Sequence, residues 1–194
     1  ECGAAVYESF QLIDNVFDNT KSEELQKSIF EWLYQQIQNP DYNSYGIGDH
    51  LDPLFFKTVV FLKQYDLAHP FIDEQIRQVN NKDSWSRRYH IERYLTYKIE
   101  LLQSEGRIME ADEIIDNNLQ FEEIRQMRVK QFVNKNKLEK AEKLILEGIK
   151  IATEEDLPGV VHNWKDQLLD LYKQQNKIKE YNNLARELFI ENTS

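Results

Sequence analysis

The residues from Asp41 to Asp52, DYNSYGIGDHLD, set oxygen-bearing side chains at intervals that could hold a hard cation. Counted from Asp41, Asn43 takes the third place, Gly46 the sixth, Asp49 the ninth and Asp52 the twelfth. That is near the order of an EF-hand calcium loop, where acidic and amide oxygens surround the ion and a glycine makes the sharp turn. Two places depart from it. Tyr45 stands where an oxygen ligand belongs, and Asp52 replaces the longer bidentate glutamate. Asp52 also reads as a helix N-cap, with Pro53 at the first helical position. On these counts a plain connection between helices is favoured over a calcium site.

A second constellation is basic. SRRYHIERYLTYK carries Arg87, Arg88, His90, Arg93 and Lys98, with Tyr94 and Tyr97 between them. Cations interleaved with aromatics can grip phosphate or stack on bases. The same residues also suit the solvated face of an amphipathic helix, pairing with nearby carboxylates. The net charge of −10 favours that second use and disfavours bulk binding of nucleic acid. His50, His69, His90 and His162 lie far apart, none at metal-binding spacing, and His162 is expected to pack beside Trp164. Cys2 is the single cysteine, so an internal disulfide or cysteine-based zinc site is excluded and a reducing compartment is expected. At the extreme terminus it is a poor nucleophile. With no G-x-S-x-G elbow, P-loop or H-E-x-x-H motif, the expectation is a chain that is not an enzyme and carries no cofactor.

The elements that hold these residues read as helices. The chain has 194 residues, 41% of them hydrophobic and 12% aromatic, with only six glycines and four prolines. Such scarcity of turn formers suits long helices and not a many-turned β fold. No apolar run is long enough for a membrane span, and the start, ECGAAVYESF, has no signal-peptide pattern, so it reads as a processed chain or a fragment of a longer protein. Val6, Phe10, Ile13 and Phe17 form a first apolar stripe. Thr20 and Glu23 read as a capping box opening a second helix near Lys21, with Leu25, Ile29, Leu33 and Ile37 as its buried face. Asn39-Pro40 ends it. Further helices are predicted from Pro53, from about Pro70 with Phe71, Ile72, Ile76 and Val79, and over 84–104.

A phrase then repeats: EGRIMEADEII from Glu105, KNKLEKAEKLI from Lys135 and, more faintly, QNKIKEYNNLA from Gln175. Aligned on Gly106, Asn136 and Asn176, large apolar residues recur at fixed offsets before the corner, among them Tyr94, Ile124 and Trp164. A small residue, Ala111 or Ala141, recurs after it. Glycine and asparagine tolerate the left-handed conformation that ends a helix. The phrase therefore marks the bend of a helical hairpin, with Ala111 and Ala141 at close helix crossings.

Corner spacings of 30 and 40 residues bracket the tetratricopeptide period. The chain resembles tetratricopeptide repeats in the aromatic before the corner, the corner glycine and the small alanine. It lacks that motif's inner glycine, since Ile99, Val129 and Leu169 stand there, and its terminal proline. The expected fold is all-α: a right-handed α-solenoid of about five antiparallel hairpins over 1–194, divergent over 1–82 and clearer over 83–194. More specifically, YLTYKIELLQSEGRIMEADEIID, AEKLILEGIKIATEEDLPGVVHNWKDQLLDLY and EYNNLARELF resemble the helical region that follows the SWIM zinc finger in bacterial proteins. EWLYQQIQNPDYNSYGIGDHLDPLF is similar to the earlier part of that region. The resemblance implies zinc only for a finger outside this chain, whose Cys-x-Cys and Cys-x-His pairs are absent here. It implies a role beside a finger that contacts DNA or proteins. The helical array itself is expected to be a cytoplasmic protein-interaction module that binds an unknown peptide or protein on its concave face, with Tyr94, Tyr97 and Arg128 as groove candidates. The alternative is a nucleic-acid-associated module using Arg87, Arg88 and Arg93.

Overall fold

The computed structural model describes residues 2–39, 47–78 and 84–191. Every regular element among these residues is an α-helix, in the order α1 (Cys2–Asn19), α2 (Glu23–Ile37), α3 (Ile47–Leu62), α4 (Tyr65–Gln78), α5 (Ser84–Ser104), α6 (Ile108–Asn117), α7 (Glu122–Asn134), α8 (Leu138–Glu154), α9 (Pro158–Gln174) and α10 (Ile178–Glu191). The all-α expectation holds, and α5 has the bounds its sequence predicts. Two compact units divide the chain, Glu1–Ala111 and Asp112–Ser194. The dividing point falls within α6, some way past residue 83, where the repeat phrase becomes legible.

In the first unit α3 touches both α1 and α5 as well as its chain neighbours, while α2 and α4 touch chain neighbours only, among the described residues. Thus α3 meets α1, α2, α4 and α5. Its sequence explains this: its apolar face is broad enough to need several neighbours to cover it, while Asp49, Pro53 and Lys57 stay exposed. Leu51, Leu54, Phe55, Phe56 and Val59 are all buried, with Phe55 in ring contact with Phe30, Phe56 and Phe71. The buried face of α2 differs from the expected one. Leu25 is exposed, while Gln26, Phe30, Leu33 and Ile37 turn inward. The cap differs too: Ser22 caps α2 through its hydroxyl, 3.2 Å from the Leu25 amide, and the Thr20 hydroxyl supports the Ser22 amide at 3.1 Å.

Two prolines fall inside helices instead of opening them. Pro53 lies within α3 and Pro70 within α4. Each lacks the amide hydrogen that would bond four residues back. Pro53 thus leaves the Asp49 carbonyl without its intrahelical donor; separately, the Arg93 guanidinium donates to the neighbouring Gly48 carbonyl. Asp52 is consequently no N-cap but a mid-helix residue.

The three corners read from the repeated phrase are left-handed, with φ of +79° at Gly106, +54° at Asn136 and +55° at Asn176. Two more corners carry no such phrase: Lys63 at +55° and Asp156 at +54°. All five close in one way. The corner amide bonds three residues back and the next amide five residues back, as in Gly106 to Gln103 (3.1 Å) and Arg107 to Leu102 (2.8 Å). This is the Schellman motif, which satisfies carbonyls that a helix end leaves bare. A lysine in this conformation is strained by roughly 1 kcal/mol, since its Cβ crowds the following carbonyl. Lys63→Gly is therefore expected to raise stability by about 0.5–1 kcal/mol in urea denaturation, partly offset by glycine's greater freedom in the unfolded chain. Gly106→Ala should lose about 1 kcal/mol through backbone strain alone, because a Cβ there meets nothing within 4 Å.

In the second unit α7, α8, α9 and α10 pack each against the next. Val129, Ala141, Leu144, Ile145, Trp164, Leu168, Leu171, Leu184 and Leu188 form its core. Ala141 is fully buried, as the corner register predicts, and so is Ala111 in the first unit. Ala141→Leu should overpack this core and cost about 1–3 kcal/mol, seen as a lower urea midpoint at unchanged slope.

Candidate interaction site

Of the five partner-binding candidates on α5, Arg93, Tyr94 and Tyr97 are largely buried within the first unit. Arg93 lies on the α5 side facing α3, with its side chain 10% exposed. It donates to the Asp49 carboxylate and the Gly48 carbonyl, and its Nη2 lies 2.8 Å from Asp52 Oδ2. Asp52 is 0% exposed, and no hydrogen bond of standard geometry reaches either of its oxygens. Burial pushes its pKa from 3.8 up to about 6, against the opposing pull of the Arg93 charge and the Tyr94 hydroxyl. Tyr94 is 1% exposed. Tyr97 stacks on Phe56 with ring centroids 4.1 Å apart, and burial holds its phenol well above the ordinary range. The structure thus brings Arg93, Tyr94 and Tyr97 together with Asp49 and Asp52, but as an interior tie between α3 and α5.

The calcium reading divides at the same place. Asp41 and Asn43 lie outside the described residues. Asp49 and Asp52 sit on α3, where Asp52 faces a guanidinium. Among the described residues, no group of three or more His, Cys, Asp or Glu side chains is placed to hold a metal ion.

Arg128 is tied within the second unit. Its guanidinium reaches Asp112 Oδ1 at 3.0 Å and the Asp112 carbonyl at 3.0 Å, and Nε donates to Asp116 Oδ1 at 2.9 Å. It also sits 5.7 Å from the Phe132 ring centroid. Arg125, beside it on α7, donates to the Leu144 carbonyl at 3.2 Å and joins α7 to α8. Arg87 is exposed and Arg88 half-buried in the opening turns of α5, and each has an interaction partner. His162 is not packed away beside Trp164; its Nε2 lies 3.6 Å from Asp166 on the outer side of α9.

The arrangement best suited to receiving another molecule is a cleft of about 230 Å³ between α1 and α3. Tyr7, Phe10, Gln11 and Asp14 line it from α1, and Asp49, His50, Pro53, Leu54 and Lys57 from α3. Helical spacing explains the α1 side, since residues 7, 11, 14 and 18 share one face. Across the cleft the Tyr7 and His50 rings stand 5.5 Å apart, and Phe10 stacks on His50 at 6.2 Å. Lys57 Nζ spans Asp14 Oδ1 at 2.6 Å and Asp18 Oδ2 at 2.7 Å. Partial burial opposes the lysine charge, yet the two carboxylates outweigh it and raise its pKa above the ordinary value.

Comparison with protein-family models, curated proteins and solved structures finds no match. The chemistry of the cleft itself therefore carries the functional reading. Sequence reasoning placed Phe10 in a core stripe and His50 in a loop. The available signal was the polar and aromatic stripe Tyr7, Gln11, Asp14 and Asp18, which an apolar-periodicity reading passes over.

Proposed function

We propose that the chain is a non-catalytic interaction module whose α1/α3 cleft receives a segment of a partner protein. The observation that carries this reading is the cleft, where aromatic rings and charged groups converge at a surface that stays partly open. Tyr7 is 48% exposed there, although large aromatics usually contribute most when covered.

A right-handed, tetratricopeptide-like stacking of hairpins is part of this proposal; the Schellman corners of both units and, in the first unit, the packing of α3 against α1 and α5 are compatible with it. Stacked hairpins present broad faces to peptides and partner helices. The resemblance to the region beside a bacterial SWIM finger is kept as part of the proposal. It would make this a cytoplasmic module adjoining a finger that carries its own zinc. No helix among the described residues is long and apolar enough to cross a membrane.

The second reading, phosphate binding by the cluster around Arg87, is weakened by where its cations go. Arg93 is turned into the α3 contact, and Lys98 pairs with Asp73 on α4. Titrating the chain with duplex DNA at two salt concentrations tests it, since released counterions give a steep salt slope when phosphates are gripped. The expected result is no salt-dependent binding. Selection from a displayed peptide library, repeated on a Tyr7→Ala variant, tests the first reading. Enriched sequences should lose binding on that variant, and a selection that enriches nothing counts against the module.

A further inference from the structure

Resting on the interaction-module reading, we infer that the α1/α3 cleft takes an arginine side chain of its partner, with the guanidinium against Asp14 and the ring faces of Tyr7 and Phe10. The first ground is size. A volume of about 230 Å³ lies below the roughly 300–1,000 Å³ of sites that enclose a drug-sized ligand. It suits one long side chain entering from an extended or helical segment.

Charge is the second ground. Asp14, Asp18 and Asp49 bring three carboxylates to this region against Lys57 and Arg93. The Arg93 guanidinium is turned inward, whereas the Asp14 and Asp49 side chains are 46% and 55% exposed. The face offered to a partner is therefore acidic, in a chain whose net charge is −10. Three carboxylates against two cations leave a surplus of negative charge here, which an anionic ligand would meet as repulsion.

The third ground is the combination of rings and a displaceable cation. Tyr7, Phe10 and His50 line the same cleft as Asp14 and Asp49, and a cation over an aromatic face gains attraction from the ring quadrupole. Lys57 holds Asp14 as a point charge through a flexible stem. A guanidinium offers the same carboxylate a planar, two-pronged set of donors and stacks better on the rings. Lys57 keeps Asp18 when Asp14 is taken, so the exchange leaves no lysine charge unpaired.

The test uses the full chain labelled with nitrogen-15 and three probes: an acetylated, amidated Gly-Arg-Gly peptide, its citrulline counterpart, and tetramethylammonium. The arginine peptide is expected to shift resonances of Tyr7, Asp14 and His50 saturably. Citrulline, of the same shape without the charge, should not. Asp14→Asn should weaken the arginine peptide about tenfold, a change in binding alone, and the melting curve should stay in place because Asp14 is a half-exposed surface residue. Equal response to citrulline, shifts scattered over other acidic faces, or no effect of Asp14→Asn would each overturn the assignment. An equally strong response to tetramethylammonium would overturn it in favour of a small quaternary cation. Peptide selection separates this inference from the reading beneath it. Binders that occupy the cleft without a basic residue remove the arginine but leave the module, whereas failure to select any binder removes both.

Discussion

Arg93→Met is expected to destabilise the first unit by about 3–5 kcal/mol at pH 7, the range found when one partner of a buried ion pair is removed. Methionine keeps much of the apolar stem, so the loss falls on the charge and its hydrogen bonds. Asp52 is fully buried, and Arg93 is the only cation that the structure places against it among the described residues. Without the guanidinium, Asp52 must either stay ionised in the interior or take up a proton on folding.

The pH dependence separates this cause from a simple packing defect. In the native protein the Asp52 pKa is raised from 3.8 to about 6. Between those values the folded state binds more protons than the unfolded state, so this group's contribution to stability falls as pH rises through that window. Below the unfolded pKa the penalty is absent; above about pH 6 it is complete, at about 3 kcal/mol. Removing Arg93 takes away a lowering influence and moves the folded pKa higher still. Urea denaturation should therefore show the cost of Arg93→Met shrinking from pH 7 to pH 5. The double variant Arg93→Met with Asp52→Leu should recover most of the loss, since an apolar pair of similar volume often replaces a buried ion pair at little cost. A cost that is the same at both pH values and persists in the double variant would refute the electrostatic account.

The second large effect is expected at Gly148. A Cβ built there would stand 2.8 Å from Trp164 Cε2 and 3.0 Å from Nε1, closer than real Cβ contacts come. Trp164 is 1% exposed and its rigid ring is held within the core of the second unit, so it has little room to retreat. Helix propensity alone favours alanine over glycine by about 1 kcal/mol in mid-helix. Overpacking at this crossing opposes it with about 1–3 kcal/mol. Gly148→Ala should therefore be a net loss of up to about 2 kcal/mol, and Gly148→Leu a loss above about 3 kcal/mol. The decisive result is a change of sign. In a Trp164→Leu background the obstruction is gone, and Gly148→Ala should stabilise relative to that background by up to about 1 kcal/mol. If alanine at 148 is equally harmful with and without the indole, the close approach of α8 and α9 is not its cause.

What was legible in the sequence was what neighbouring residues decide among themselves. The corners at Gly106, Asn136 and Asn176 could be read because left-handed backbone selects for those residue types locally. The bounds of α5 and the burial of Ala111, Ala141 and Trp164 followed from helical spacing around those corners. Lys63 and Asp156 bend the chain in the same way. Lysine has no local preference for that conformation, so nothing marked its corner. Aspartate tolerates it, and Asp156 precedes Leu157 and Pro158, a stop signal that the repeat phrase did not include.

Tertiary structure decided the fate of the charged and aromatic residues. Arg93 looks like a surface cation beside Arg87 and Arg88, yet its partners lie 44 and 45 residues earlier, on α3. Asp52 looks like a cap or a calcium ligand until α3 is seen to begin at Ile47 and carry it inward. Gly148 has no distinguishing neighbours, and only the arrival of Trp164 from the next helix gives it a role. The division has one physical reason. Backbone conformation is governed by the chemistry of a few adjacent residues, whereas pairing across helices depends on how whole apolar faces pack, and a side chain's partner exists only once that packing has formed.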